Sequence, residues 1–217
     1  MAGNVPQLAD MGRRMVAAGI PAKFGALNLE TFDQVTVKSL EKRKGLRLAR
    51  EWVSGSVPGV PGLGSKGDGE QGSGAEYHAW PWLFVRGATG RGKTGLGIGV
   101  LKALIEQGRQ GLYVASFDMI EEMKRQFGGD VSTYTEVLAS VDVLMLDELV
   151  PPFITDWRRG VLFELLWRRD ARRLTTILTT AASDEELAKA VTDAGVRRLV
   201  ENSLVVRLEG KEIRWGF

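Results

Sequence analysis

Eight consecutive residues, Gly87-Ala88-Thr89-Gly90-Arg91-Gly92-Lys93-Thr94, satisfy G-x-x-x-x-G-K-[ST]. They follow an apolar run, PWLFVR at 81–86, and open a helix-forming run over 94–107. A strand, a glycine-rich turn and a helix start in that order direct several backbone N–H groups toward one point, where a phosphate can sit. Glycine is needed because such a loop uses backbone conformations that a Cβ disfavours. Lys93 would neutralise β- and γ-phosphate oxygens, and Thr94 would offer its hydroxyl to Mg²⁺. Gly87, Ala88, Thr89, Gly90, Arg91, Gly92, Lys93 and Thr94 are therefore the candidate nucleotide-binding residues. Gly90, Gly92 and Gly95 also match G-x-G-x-x-G, but the Lys-Thr pair inside that pattern favours a nucleoside triphosphate over a dinucleotide. Gly95 and Gly99 read as close-packing positions.

From residue 81 onward, strand-like and helix-like runs alternate. Strands are expected at 81–86, 111–116, 141–146 and 175–180, with a closing strand or hairpin at 204–208 and 211–215. Helices are expected at 94–107, 118–127, 132–139 and 157–169, and after Ser183, which forms a capping box with Glu186. This alternation predicts an α/β fold with a five-stranded parallel sheet between helices. Upstream, 8–18 reads as a short basic helix, 24–32 as a lead-in loop and 33–53 as a helix rich in Lys and Arg. Residues 54–75 are mostly Gly, Ser and Pro and read as a flexible insertion.

Composition narrows the function classes. The net charge is only +2, so the chain as a whole is not a dedicated polyanion binder. It has no Cys and one His, His78 in a Gly-rich stretch, which excludes disulfides and thiolate metal sites and leaves no basis for a His-built one. No apolar run is long enough to span a bilayer, and Arg13 and Arg14 are not followed by the apolar core of a secretory signal. A cytoplasmic location without membrane contact is the expectation.

The apolar strand at 141–146 delivers Asp147-Glu148 at its C-terminal end, the edge of a parallel sheet where ligands bind. Asp147 would hold Mg²⁺ through water. Glu148 would orient and polarise the water that attacks the γ-phosphate.

Taken together, GIPAKF at 19–24 through Phe32, the P-loop, the Asp147-Glu148 strand, TTILTT at 175–180, Arg198-Leu199 and 210–214 follow the order seen in AAA+ ATPases of the DnaC/DnaI helicase-loader and IstB type. The chain resembles that family over roughly 21–215. The resemblance implies an ATP-Mg²⁺-dependent hydrolase of DNA replication that self-associates with ATP at subunit interfaces and acts on a replicative helicase and single-stranded DNA. The implied alternatives are an IstB-type transposition ATPase and an ATP-controlled replication adaptor with little turnover. By the same resemblance, Arg198 matches the arginine finger that reaches a neighbour's γ-phosphate, with Arg197 as the alternative. Arg214 matches a late sensor arginine, residues 24–32 would border the adenine, and Lys124 and Arg125 would be contacts to single-stranded DNA. Residues 1–20 would be a short N-terminal extension and 21–217 the ATPase domain, with a helical lid absent or rudimentary.

One departure from the family pattern is chemical. Thr179-Thr180-Ala181 stands where Thr-Ser-Asn is expected, so the sensor amide is missing. Thr180 is the candidate substitute, and hydrolysis is expected to be slow. Two further clusters, Lys42, Arg43, Lys44, Arg47 and Arg50, and Arg168, Arg169, Arg172 and Arg173, are either solvated faces or phosphate contacts. Arg168 or Arg169 could alternatively face a neighbour's nucleotide. Trp157 and Trp167 are expected to be core or interface anchors.

Overall fold

The computed structural model describes residues 13–36, 39–56, 81–125, 131–149 and 155–213. Strands β1 (Trp82–Arg86), β2 (Gly111–Ala115), β3 (Val143–Asp147), β4 (Thr175–Thr180) and β5 (Ser203–Arg207) form one parallel sheet in the order β2-β3-β4-β1-β5. The three central strands, β1, β3 and β4, are buried at every position. This accounts for their continuous apolar or Thr-rich runs, since a parallel strand with both faces covered has no polar side to show.

Alternation along each strand sends side chains to two separate cores. Leu83, Val85, Met145 and Ile177 pack on one face with helices α1 (Leu29–Thr36), α2 (Leu40–Val53) and α3 (Lys93–Glu106). Trp82, Phe84, Leu144, Leu146 and Leu178 pack on the other face with α4 (Ser116–Arg125), α5 (Val131–Ser140), α6 (Asp156–Ala171) and α7 (Asp184–Glu201). No helix among the described residues is long and apolar enough to cross a membrane.

The expected single helix over 33–53 is two helices. The first starts earlier, at Leu29, where Asn28 and Thr31 exchange backbone-to-side-chain hydrogen bonds of 2.8 Å in both directions. It spans Leu29–Thr36. Ser39 then caps α2, its hydroxyl accepting from the Lys42 N–H. The expected capping box of Ser183 and Glu186 at α7 is present, and α7 is kinked at Thr192, whose φ is +65°. The closing strand forms at 203–207, but 211–213 is not a strand; it lies against the glycine turn that follows β1. The insertion expected at 54–75 falls mostly outside the described residues.

The charge cluster around Arg169 has a different role from the one its composition suggests. Arg169 is fully buried. Its guanidinium donates to the Thr176 hydroxyl (2.9 Å) and to the carbonyls of Leu138 (2.8 Å), Val141 (3.0 Å) and Thr175 (2.7 Å). It therefore joins α6 to the end of α5 and the start of β4, and it can face neither DNA nor a neighbour's nucleotide. Burial, followed by the Arg109 and Arg172 charges, lowers its pKa. Arg168 and Arg172 pair with Glu136, and Arg168 also with Glu164. Lys42 is likewise buried, donating to the Lys211 carbonyl. Arg169→Met keeps the side-chain length but strands several buried acceptors. It should cost at least ~3 kcal/mol, at about 1–3 kcal/mol per unsatisfied group. Urea unfolding measures this, and a loss below about 1 kcal/mol would mean that the guanidinium is not the tie.

Candidate nucleotide-binding site

The loop after β1 turns through glycines at φ +150° (Gly87), +75° (Gly90) and +93° (Gly92), and Gly92 caps α3. The last two values lie in the left-handed region that glycine tolerates. The loop is also pressed by the segment that follows β5. A Cβ on Gly92 would lie 2.4 Å from Ile213 Cδ1, and one on Gly90 would lie 2.6 Å from Glu212. The Ile213 N–H donates to the Gly90 carbonyl at 2.8 Å, and the Leu208 N–H donates to the Arg86 carbonyl at 2.8 Å. The segment from 208 to 213 thus fastens the loop to the end of the sheet.

A cavity of about 590 Å³ adjoins the loop, lined by Thr89, Lys93, Thr94, Glu148, Phe24 and Ile213, among others. Lys93 is buried, and desolvation lowers its pKa while Glu148 and Asp147 oppose the shift. Its ammonium donates to the Ala88 carbonyl at 3.2 Å, a weak tether that a phosphate oxygen can replace. Phe24 ends a 3₁₀ turn, Ala22–Phe24, held by Lys102, which donates to the Phe24 and Gly25 carbonyls at 2.7 Å each. Phe32 is fully buried and packs beside Gly92.

Asp147 ends β3, and its carboxylate is surrounded by hydroxyls. Thr94 lies 3.0 and 3.1 Å from its two oxygens. The Thr179 hydroxyl donates to Oδ1 at 2.6 Å, and the Tyr113 hydroxyl donates to Oδ2 at 3.0 Å. Burial, followed by the nearby carboxylate, raises the Tyr113 pKa, so the phenol stays a donor. An all-oxygen pair, Thr94 with Asp147, suits a hard divalent cation that keeps waters and phosphate oxygens as its other ligands. Among the described residues there is no group of three or more His, Cys, Asp or Glu that could hold a metal ion.

Glu148 takes φ +52°, an uncommon conformation for a residue with a side chain. Its N–H donates to the Thr179 hydroxyl (2.9 Å), its carbonyl accepts from Ser116, and its Oε1 accepts from the Ala181 N–H (3.0 Å). The backbone amide of Ala181 thus reaches Glu148 from the position where a sensor side chain was missing. Thr180 is fully buried, and its hydroxyl accepts from the Ala182 N–H instead.

The remaining expected residues lie away from this cavity. Arg198 is on α7 after the kink, 3.3 Å from Asp170 of α6. The strand that follows α7 begins opposite Trp82 and runs parallel to β1. Asp170 lies just before β4 begins, so Arg198 sits toward the end of the sheet where the strands start, whereas the phosphate loop follows the end of β1. Arg197 is exposed. Lys124 and Arg125 end α4, exposed and paired with Glu121 and Glu122. Arg214 lies outside the described residues. Sequence reasoning missed Tyr113, Thr179 as a tie between the two acidic residues, and Ile213.

A parallel sheet with a phosphate loop after β1, an acidic pair ending β3 and strand order β2-β3-β4-β1-β5 defines a P-loop ATPase fold of the AAA+ class. Residues 82–215 match the family model described as IstB-like ATP binding protein. The chain belongs to that family. None of the curated proteins matches it significantly. Among solved structures it is similar to the DnaC helicase loader, with a TM-score of 0.70 and 22% identity over 87% of this chain and 100% of that one. DnaI aligns with a TM-score of 0.66 and 20% identity over 88% and 95% of the two chains. The replication initiator DnaA bound to AMPPCP and single-stranded DNA aligns with a TM-score of 0.66 and 19% identity over 88% of this chain and 51% of that one.

Gly92→Ala forces a Cβ into the left-handed region and against Ile213. The strain, ~1–2 kcal/mol, should weaken ATP binding roughly tenfold at about 1.4 kcal/mol per decade. Titration with a fluorescent ATP analogue measures this; unchanged affinity would mean that the loop does not need this conformation to bind.

Proposed function

We propose that this protein is a Mg²⁺-dependent ATPase that acts as a helicase-loader-like factor in DNA replication, assembling with copies of itself on single-stranded DNA. The observation that carries the ATPase reading is the contact of Thr94 with Asp147, with Glu148 and Lys93 lining the same cavity. Mg²⁺, held by Thr94 and Asp147, would neutralise charge on the β- and γ-phosphates. Lys93 exchanges its Ala88 tether for phosphate oxygens. Glu148 leaves the Ala181 N–H and accepts a proton from a water whose oxygen bonds the γ-phosphorus. The bond from that phosphorus to the β–γ bridging oxygen breaks, giving ADP and inorganic phosphate.

The loader reading is supported by the likeness to DnaC over that chain's full length. Arg198 supports self-association, because its partner Asp170 lies where β4 begins, toward the other end of the sheet from its own phosphate loop. It would exchange Asp170 for a neighbour's γ-phosphate. Lys124 and Arg125 are the proposed contacts to single-stranded DNA, exchanging exposed ion pairs for phosphates. A second reading, an IstB-type transposition ATPase, is favoured by the family match over 82–215. Co-purification separates the two: a hexameric helicase supports the first and a transposase the second.

Lys93→Ala should abolish detectable ATP binding. Glu148→Gln should keep ATP and lower turnover at least roughly a hundredfold, the usual share of a positioned base. Equal turnover in Glu148→Gln and wild type would remove Glu148 from the mechanism. Arg198→Ala should bind ATP normally yet fail to assemble or hydrolyse it. Mixing Arg198→Ala with Lys93→Ala subunits should restore part of the ATPase rate, because some interfaces then pair an intact loop with an intact finger. Absence of any rescue, with Arg198→Ala fully active alone, would contradict a site acting in trans.

A further inference from the structure

We infer that Tyr113 is a positioning residue for the metal-binding carboxylate, acting through Asp147; the inference rests on the reading above that Asp147 serves Mg²⁺. The Asp147 carboxylate has one donor on each oxygen that belongs to the sheet itself. Thr179 of β4 donates to Oδ1 at 2.6 Å, and Tyr113 of β2 donates to Oδ2 at 3.0 Å. Thr94 alone is shared between the two oxygens, and it alone stands at the phosphate loop.

The three hydroxyls therefore divide by role. When the Thr94 hydroxyl turns to a cation, the Tyr113 and Thr179 bonds remain. A carboxylate offers about four lone-pair sites. With one on each oxygen taken by a strand residue, the others stay on the side of Thr94 and the phosphate cavity. The terminal torsion of Asp is otherwise broad, so an oxygen without its donor can rotate out of that plane. Partners of this kind set the orientation of metal ligands.

Tyr113 is itself held in place. It lies opposite Met145 in the sheet, and on the outer side of β2 its N–H donates to the Ala18 carbonyl at 2.7 Å. The backbone of Gly19 closes on the same strand, since a Cβ there would lie 3.3 Å from the Tyr113 carbonyl. A phenol on a strand fixed from both sides delivers its hydroxyl to one place. Phenylalanine would fill the same space and donate nothing.

The test is the Mg²⁺ dependence of nucleotide binding, with no turnover required. A fluorescent ATP analogue is titrated into the full-length wild type, Tyr113→Phe and Asp147→Asn, first in EDTA and then across a Mg²⁺ series. Mn²⁺ binding followed by EPR on the same proteins is a second readout. Tyr113→Phe keeps the ring, and thermal melting checks that the fold is retained. The expected result is unchanged affinity in EDTA and a Mg²⁺ midpoint raised roughly tenfold, the lower end of the usual effect of such partners on metal affinity. Asp147→Asn should shift it further. If Asp147→Asn shifts the midpoint and Tyr113→Phe does not, the inference is overturned and the metal reading stands. If Tyr113→Phe weakens binding equally in EDTA and in Mg²⁺, its role is structural and the inference is again overturned. If neither variant moves the midpoint, Asp147 is not a metal ligand, and the underlying reading fails together with the inference.

Discussion

The Asp147 carboxylate is the point on which the rest of the site depends. Hydroxyls from β2, β4 and the start of α3 converge on it, so its position fixes three elements relative to the end of β3. A buried carboxylate is costly unless its oxygens are satisfied, and one of the satisfying hydroxyls, that of Thr94, belongs to the phosphate loop. Thr94 links the carboxylate to the phosphate loop. Thr179 links it to the Glu148 backbone. Lys93, the Thr94–Asp147 pair and Glu148 are thereby ordered around one atom group beside the same cavity.

The phosphate loop is equally constrained by the segment that follows β5. Leu208, Glu212 and Ile213 press on Gly87, Gly90 and Gly92, and the Ile213 N–H holds the Gly90 carbonyl. Lys42 reaches across from α2 to the Lys211 carbonyl. The loop is thus held by a segment more than a hundred residues away in sequence, whose Ile213 also lines the cavity. Preorganised amides of this kind bind phosphate without reordering at the moment of contact. Lys102 does similar work for the turn that carries Phe24 into the cavity.

Local patterns made the central features legible in the sequence. The glycine spacing with Lys93-Thr94, the apolar run ending in Asp147-Glu148, and the Ser183-Glu186 box each carry their meaning within a few residues. The features that were not legible depend on partners far away in the chain. Arg169 sits in a run of arginines indistinguishable from a solvated face, and only the fold brings Leu138, Val141 and Thr175 to it. Tyr113 reads as one aromatic in a strand until Asp147 is beside it. Ala181 was read by what its side chain lacks, whereas its backbone N–H, common to nearly all residues, is what reaches Glu148. The break between α1 and α2 could have been read from Asn28, Thr31 and Ser39, which are capping types at capping spacings.

The most direct test of this account is a structure of the protein with AMPPCP and Mg²⁺. The phosphates should lie in the cavity beside Lys93, with the ammonium moved from the Ala88 carbonyl to phosphate oxygens. The Thr94 hydroxyl should have left Asp147 for the metal, and the Tyr113 and Thr179 bonds to Asp147 should remain. A nucleotide bound elsewhere, or one bound there with Lys93 still on Ala88 and Thr94 still on Asp147, would contradict the site as described.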